Sequence, residues 1–236
     1  MSTLAVGLAF ALWLQATSAG PATFTAKSVN VAEPGTAVKL NIQRWSTDQE
    51  RKPVIDALDP EAQKAAAKTG GGERGRGGRA AAAADPDDPA LADVPTGRGR
   101  GGRGGRGGGD AALPPDPIAL LTAALNKAPT VGYLWTNETV GYSIKYAARI
   151  PSADGGERII LLTDRRLGGG TVGWKFVGAG TATNYEFTLI ELRLDAKGAG
   201  EAKASLTSKV ILDKEAKTLA LENYAAAPAV FQGVKR

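Results

Sequence analysis

Outside one low-complexity stretch, the apolar residues of this chain recur every second position, in short runs closed by turn residues. Val38, Leu40 and Ile42 alternate with Lys39, Asn41 and Gln43, behind a Glu33-Pro34-Gly35-Thr36 turn and a first strand expected near Thr23–Val29. Val140, Tyr142, Ile144, Tyr146 and Ala148 alternate with Gly141, Ser143, Lys145, Ala147 and Arg149. Successive side chains of a strand point to opposite faces, so this period marks strands with one face buried. Connections this short force neighbouring strands antiparallel, because a parallel crossover needs about a dozen residues or more.

The same reading gives the remaining strands. Asp154-Gly155-Gly156 turns the chain into Arg158–Thr163, apolar on both faces and so expected to be central. Val172, Trp174 and Phe176 read as a short strand. Tyr185–Asp195 and Glu201–Leu212 are joined by Ala196-Lys197-Gly198-Ala199-Gly200, and Asp213-Lys214-Glu215-Ala216 turns into Thr218–Tyr224. The expected fold is mainly β (β-rich α+β): an antiparallel meander, continuous from Val140 to Val234, forming a β-sandwich or an open barrel.

Helical signals stand on both sides of the low-complexity stretch. Ser46 and Thr47, with Gln49 and Glu50, make overlapping capping boxes, and Pro53 keeps the helix that follows short or kinked. Asp59-Pro60 and Asp116-Pro117 each place a capping carboxylate before a proline at the first helical position. These predict helices over Pro60–Lys68 and Pro117–Lys127, the second with an apolar face of Ile118, Leu121 and Leu125.

Between them, residues 70–110 hold 15 of the 31 glycines, seven Arg and six acidic residues. With no aromatic and almost no large apolar side chain, the stretch cannot bury enough surface to offset ordering a chain. It reads as a disordered insert within a single β-rich domain of residues 20–236. Its Arg-Gly repeats resemble RNA-binding segments but lack interleaved Phe or Tyr, which argues against a nucleic-acid partner. Net charge is +5, spread without a block of one sign, and selects no partner.

Composition removes whole classes of chemistry. The chain has no Cys and no His, which excludes Ser-His-Asp and Cys-His catalysis, zinc–thiolate sites and disulfides. No transition metal and no cofactor is expected, and no catalytic residue is assigned. The carboxylates Glu138, Glu157, Asp164, Glu186 and Glu222 have no spacing that requires two of them to meet. Ser205 and Ser208, near Lys203 and Lys209, form no Ser-x-x-Lys pattern. Asn137-Glu138-Thr139 is a glycosylation sequon of low specificity. Trp45, Trp135 and Trp174 could stack on a sugar, although buried tryptophans at strand ends are the commoner case.

The one ligand-anchor candidate is the pair Glu191 and Arg193. Tyr185, Phe187 and Leu189 share one parity, while Ile190, Leu192 and Leu194 share the other. A regular strand puts Glu191 and Arg193 on the aromatic face, where they could anchor a ligand. A bulge near Leu189–Ile190, or a strand shared between two sheets, is the simpler arrangement, and the bulge leaves both charges in water.

At the amino end, Leu4 to Leu14 is uncharged and nearly all apolar, and Thr17-Ser18-Ala19 follows with small side chains. This is the layout of a secretory signal peptide over residues 1–19, too short in its apolar run to span a bilayer, although no Lys or Arg precedes it. The expected address is periplasmic or extracellular, with no transmembrane segment in the mature chain.

Several segments taken together resemble a family of uncharacterised exported proteins from soil bacteria: RWSTDQER at Arg44–Arg51, VGYLWTNETVGYSIKYA at Val131–Ala147, GGERIILLTDR at Gly155–Arg165, FTLIELRLDAKGAGEAK at Phe187–Lys203 and LENYAAAP at Leu221–Pro228. The resemblance implies export and a single domain, and it carries no functional residue. The expected function is a non-enzymatic exported binding protein for a small apolar or amphipathic molecule or a surface partner. The alternatives are a carboxylate-based hydrolase acting on glycans, and polyanion binding through the Arg-Gly insert.

Overall fold

Among the described residues, eight of ten strands pair in one sheet, each antiparallel to its neighbours, and the sheet closes on itself. The structure is a computed structural model that describes residues 20–70, 116–178 and 181–236. Residues 1–19, expected to form the signal peptide, and residues 71–110 of the Gly/Arg-rich insert lie outside the described residues. The barrel strands are β1 (Ala22–Ser28), β2 (Ala37–Ile42), β3 (Gly132–Trp135), β4 (Tyr142–Pro151), β5 (Glu157–Thr163), β6 (Leu189–Leu194), β7 (Ala199–Ala204) and β10 (Ala229–Lys235). They follow one another around the wall in chain order, and β10 pairs with both β7 and β1. The expected antiparallel β-rich fold is therefore present, and closure leaves the sheet without an unpaired edge. Tight turns carry it: between β6 and β7, Asp195 Oδ1 accepts the N–H groups of Lys197 and Ala199 (2.8 and 2.9 Å), and Gly198 takes the φ of 74° that a side chain would resist.

Alternation along the wall builds two cores. Phe24, Leu40, Ile42, Leu134, Tyr142, Ile144, Ile159, Leu161, Ile190, Leu192 and Phe231 fill the barrel interior. The outer face of β4, β5 and β6 is covered by α1 (Asp48–Asp56), α3 (Pro117–Lys127) and the hairpin of β8 (Val210–Asp213) and β9 (Thr218–Leu221). There Val54, Leu121, Leu125 and Leu219 pack on Tyr146, Ile160, Leu162 and Leu189. Apolar side chains on both faces of β5 thus reflect a wall buried on both sides. The helix α2 (Pro60–Gly70) and α3 bracket residues 71–115, as the capping signals predict, and Asp116 caps Ile118 N at 3.0 Å.

Several expectations are corrected. Val172, Trp174 and Phe176 do not form a strand: Val172–Trp174 is a short 3-10 turn, and only Phe176 bridges to Val31. This turn carries Trp174 into the barrel end. Glu201–Leu212 is two strands, β7 and β8, separated by a turn, so the meander after β7 leaves the barrel for the β8–β9 hairpin before β10 returns. Only Thr47 of the two overlapping boxes caps α1. Ser46 instead exchanges hydrogen bonds with Ala147, its N–H to Ala147 O and its Oγ from Ala147 N, each at 3.0 Å.

The bulge lies in β4, whose alternation looks clean, and β6, whose alternation looks broken, has none. In β4 the register slips between Ile144 and Tyr146, so Tyr146 and Ala148 turn outward to the helices and Ala147 turns into the barrel. β6 pairs without a slip to both β5 and β7. Its two apolar parities are explained by its two buried faces.

Candidate functional site

The bulge in β4 determines what stands at one mouth of the barrel. Arg149 pairs in register with the interior residue Ile159, so beyond the slip it belongs to the inward-facing row. Glu157, two residues before Ile159, shares that row and is buried. Arg236, just past β10, closes the set. One Glu157 oxygen takes a short bond from Arg149 Nε, and the other lies 2.8 Å from Arg236 Nη2. Both carboxylate oxygens are committed, and the arginines are not: Arg149 Nη1 and Nη2 make no hydrogen bond among the described residues, and the side chain is partly exposed.

A cleft of about 850 Å³ opens over this mouth. It is lined by Arg149 and Glu157 from the wall, Arg44, Trp45 and Thr47 from the segment after β2, and Arg51 from α1. Trp45 is half-buried against the interior core, and its indole N–H donates to Gly20 O at 3.2 Å. The Ser46–Ala147 exchange holds this segment against β4, beyond the first residue of β3. Arg51 is tied by Nη2 to Lys217 O at 3.0 Å and stands 3.5 Å from Asp48. The arrangement is a polar, arginine-bearing floor beside an indole, suited to a molecule with an anionic head and an apolar body.

Arg44 and Glu50 brace one rim. Arg44 Nη1 and Nη2 each donate to the carboxylate at 2.8 Å, and Glu50 also accepts the Thr47 N–H at 2.9 Å to complete the α1 capping box. The Arg44 hydrogen bonds, reinforced by the Thr47 N–H, hold the Glu50 carboxyl down at about 2 from an ordinary 4.5. A depressed folded-state value gives stability that is present above the ordinary range and is lost as pH falls from about 4.5 to about 2. The gap in thermal midpoint between wild type and Glu50→Gln should therefore narrow across that window. A gap unchanged down to pH 2 would disprove the assignment.

The carboxylates marked from sequence are dispersed. Glu157 is at this mouth. Glu138 and Asp164 sit at the other end, bonded to Thr171 and to the Ser143 N–H respectively, and Glu186 and Glu222 are exposed. Ser205 is buried and accepts the Leu189 N–H at 2.9 Å, a structural role. Of the three tryptophans, Trp174 is core, Trp45 edges the cleft and Trp135 is exposed on the outer wall. Among the described residues no group of three or more acidic, His or Cys side chains could hold a metal ion, and no helix is long and apolar enough to cross a membrane.

Glu191 and Arg193 do lie on the outer face with Leu189, under the chain that follows β9. Glu191 is fully buried, not in water. Its Oε1 accepts Arg193 Nε and Nη2 at 3.0 and 2.8 Å, and its Oε2 accepts the Leu221 N–H at 3.1 Å. Opposite it, Lys203 donates to Tyr224 O at 2.8 Å, and the Tyr224 ring lies 3.7 Å under the Arg193 guanidinium. Every oxygen of Glu191 is spent on the protein itself, so the pair is a clasp for the hairpin. Arg193 alone reaches a shallower hollow of about 580 Å³ beside it.

The alternation puts Arg149 on the polar face with Lys145, which the slip in β4 overturns because no residue pattern announces it, and Trp45 reads from sequence only as a generic tryptophan. No protein-family model, curated protein or solved structure matches the chain.

Proposed function

We propose that this is an exported, non-enzymatic binding protein that takes the anionic head of a small amphipathic molecule at the barrel mouth, with Trp45 beside its apolar body. The observation that carries the reading is the free guanidinium edge of Arg149 in a cleft of about 850 Å³. An eight-stranded barrel is just wide enough to be filled by side chains or to hold one small ligand. Here Phe24, Leu40, Tyr142, Trp174 and Phe231 fill it, which moves the ligand from the interior to the mouth. A carboxylate hydrolase is less favoured, because, of the two acids lining the cleft, Glu157 has both oxygens engaged by arginine and Asp48 stands fully exposed beside Arg51. Export rests on the Leu4–Ala19 pattern, and the address is the periplasm or the exterior.

Isothermal titration with decanoate tests the site, with decanol as the uncharged comparison. Decanoate should bind saturably, and Arg149→Ala should weaken it about tenfold or more, the scale of a lost charge-assisted hydrogen bond. Arg149→Lys should retain part of the affinity, and Trp45→Leu should weaken both the anion and the alcohol. Absence of saturable binding, or full affinity in Arg149→Ala, would refute the proposal.

A further inference from the structure

We propose a second ligand site, separate from the mouth cleft, on the outer wall of β2, β3 and β4: a flat aromatic platform that stacks the pyranose rings of a β-linked glycan. Register places two rows side by side there. Asn41, Tyr133 and Ser143 form one, and Lys39 and Trp135 form the other. The rings of Tyr133 and Trp135 have centroids 6.0 Å apart and planes 35° from each other, so together they make a nearly continuous, gently bent surface.

Gly141 explains why the indole lies flat. A Cβ built at Gly141 would stand 2.8, 2.9 and 3.0 Å from Cε3, Cζ3 and Cδ2 of Trp135. Near-equal distances to three adjacent ring atoms put that point over the ring face, not at its edge. The indole therefore rests face-on against glycine backbone, and its opposite face looks into solvent, with Trp135 43% exposed. Neither core of the fold includes it. The face is also furnished with polar groups that serve no internal purpose: the Asn41 amide, the Lys39 ammonium, the Ser143 hydroxyl and the Tyr133 hydroxyl make no side-chain hydrogen bond or ion pair among the described residues. No carboxylate stands in the two rows.

This combination identifies the occupant. Pyranose rings with equatorial substituents present an apolar C–H face that stacks on an aromatic plane and a rim of hydroxyls that needs donors and acceptors in that plane. A flat indole surrounded by an amide, an ammonium and two hydroxyls supplies both.

Depletion of the full chain from solution by swollen cellulose and by insoluble xylan provides the test, with sedimentation on phosphatidylglycerol vesicles in parallel. Wild type should bind at least one of the two glycans saturably. Trp135→Ala should weaken that binding about tenfold or more. Gly141→Val, which drives the indole off its seat, should weaken it as well, with the thermal midpoint of each variant confirming a folded protein. Arg149→Ala should bind the glycan like wild type, which keeps failure here distinct from failure at the mouth cleft. Failure to bind either glycan, full binding by Trp135→Ala, or Trp135-dependent sedimentation with vesicles instead of glycan would overturn the proposal.

Discussion

Glu191→Ala should unfold the protein on the order of 10 °C earlier than wild type, corresponding to about 3 kcal/mol for removing a fully buried carboxylate whose partner Arg193 is half exposed but whose neighbours Lys203 and the Leu221 N–H are buried. The size of the effect follows from what is left behind. Glu191 is fully buried, and its carboxylate is the acceptor for Arg193 and for the Leu221 N–H. Without it, Arg193 loses its anion, the cross-strand neighbour Lys203 loses the negative charge opposite it, and a backbone N–H of β9 is stranded away from water. The loss should be concentrated in the hairpin, so hydrogen exchange at β8 and β9 should accelerate before that of β1 and β2. Replacing Glu191 and Lys203 together by Leu and Met should recover only the share due to the unpaired lysine, because the Leu221 N–H and Arg193 stay without their acceptor. Tyr224→Phe is the matched control. The Tyr224 hydroxyl is buried without a partner, and burial pushes its phenol above the ordinary range, so deleting the oxygen should cost nothing. A midpoint for Glu191→Ala within 2–3 °C of wild type, about the effect of 1 kcal/mol, would show that the clasp is not structural, and would restore the pair as a ligand anchor.

The contrast between β4 and β6 shows what a hydrophobic pattern can and cannot report. Period two reports burial of a face, and it is reliable when the other face is wet, as in β1 and β2, where buried Phe24, Leu40 and Ile42 alternate with exposed or half-exposed positions. When helices cover the second face, the period disappears although the strand remains regular. Glu191 then becomes ambiguous, because a buried charge and a solvated charge are the same letter. In β4 the reverse occurs. Tyr146 and Ala148 are apolar and so continue the alternation on paper, yet the slip at Lys145 moves them to the other core. Both cores accept such side chains, so the pattern does not distinguish them.

The caps and turns were legible because they are local. Asp116-Pro117, Thr47 with Glu50, and the Asp195–Gly198 turn need only neighbours in sequence to satisfy their backbone groups. Closure of the barrel was not legible, since the pairing of β10 with β1 joins the two ends of the described chain. The mouth cleft inherits that difficulty. Arg149, Arg236 and Trp45 come from three distant segments, and a single arginine in a strand gives no sign of the glutamate it will face.

Trp174→Ala should be comparably severe, at about 3–5 kcal/mol for a fully buried aromatic truncated to alanine. Trp174 is 2% exposed, meets Phe231 edge-on at 6.0 Å, and donates its indole N–H to Asn137 Oδ1 at 3.0 Å. It reaches the interior from the 3-10 turn after β5, at the end opposite the arginine mouth, and takes part of the space in which a barrel of this size could hold a ligand. Its removal leaves a hollow against Phe231, with Asn137 Oδ1 at its rim, which a small aromatic molecule bearing an N–H can refill. Indole at millimolar concentration should therefore raise the midpoint of Trp174→Ala by several degrees through binding to the folded state alone, and should leave the wild type unmoved. Rescue of the variant would show that the interior is a ligand cavity filled by the protein's own side chain. A severe loss without rescue would mean that the barrel collapses around the gap, and a midpoint near that of wild type would mean that Trp174 does not support the core.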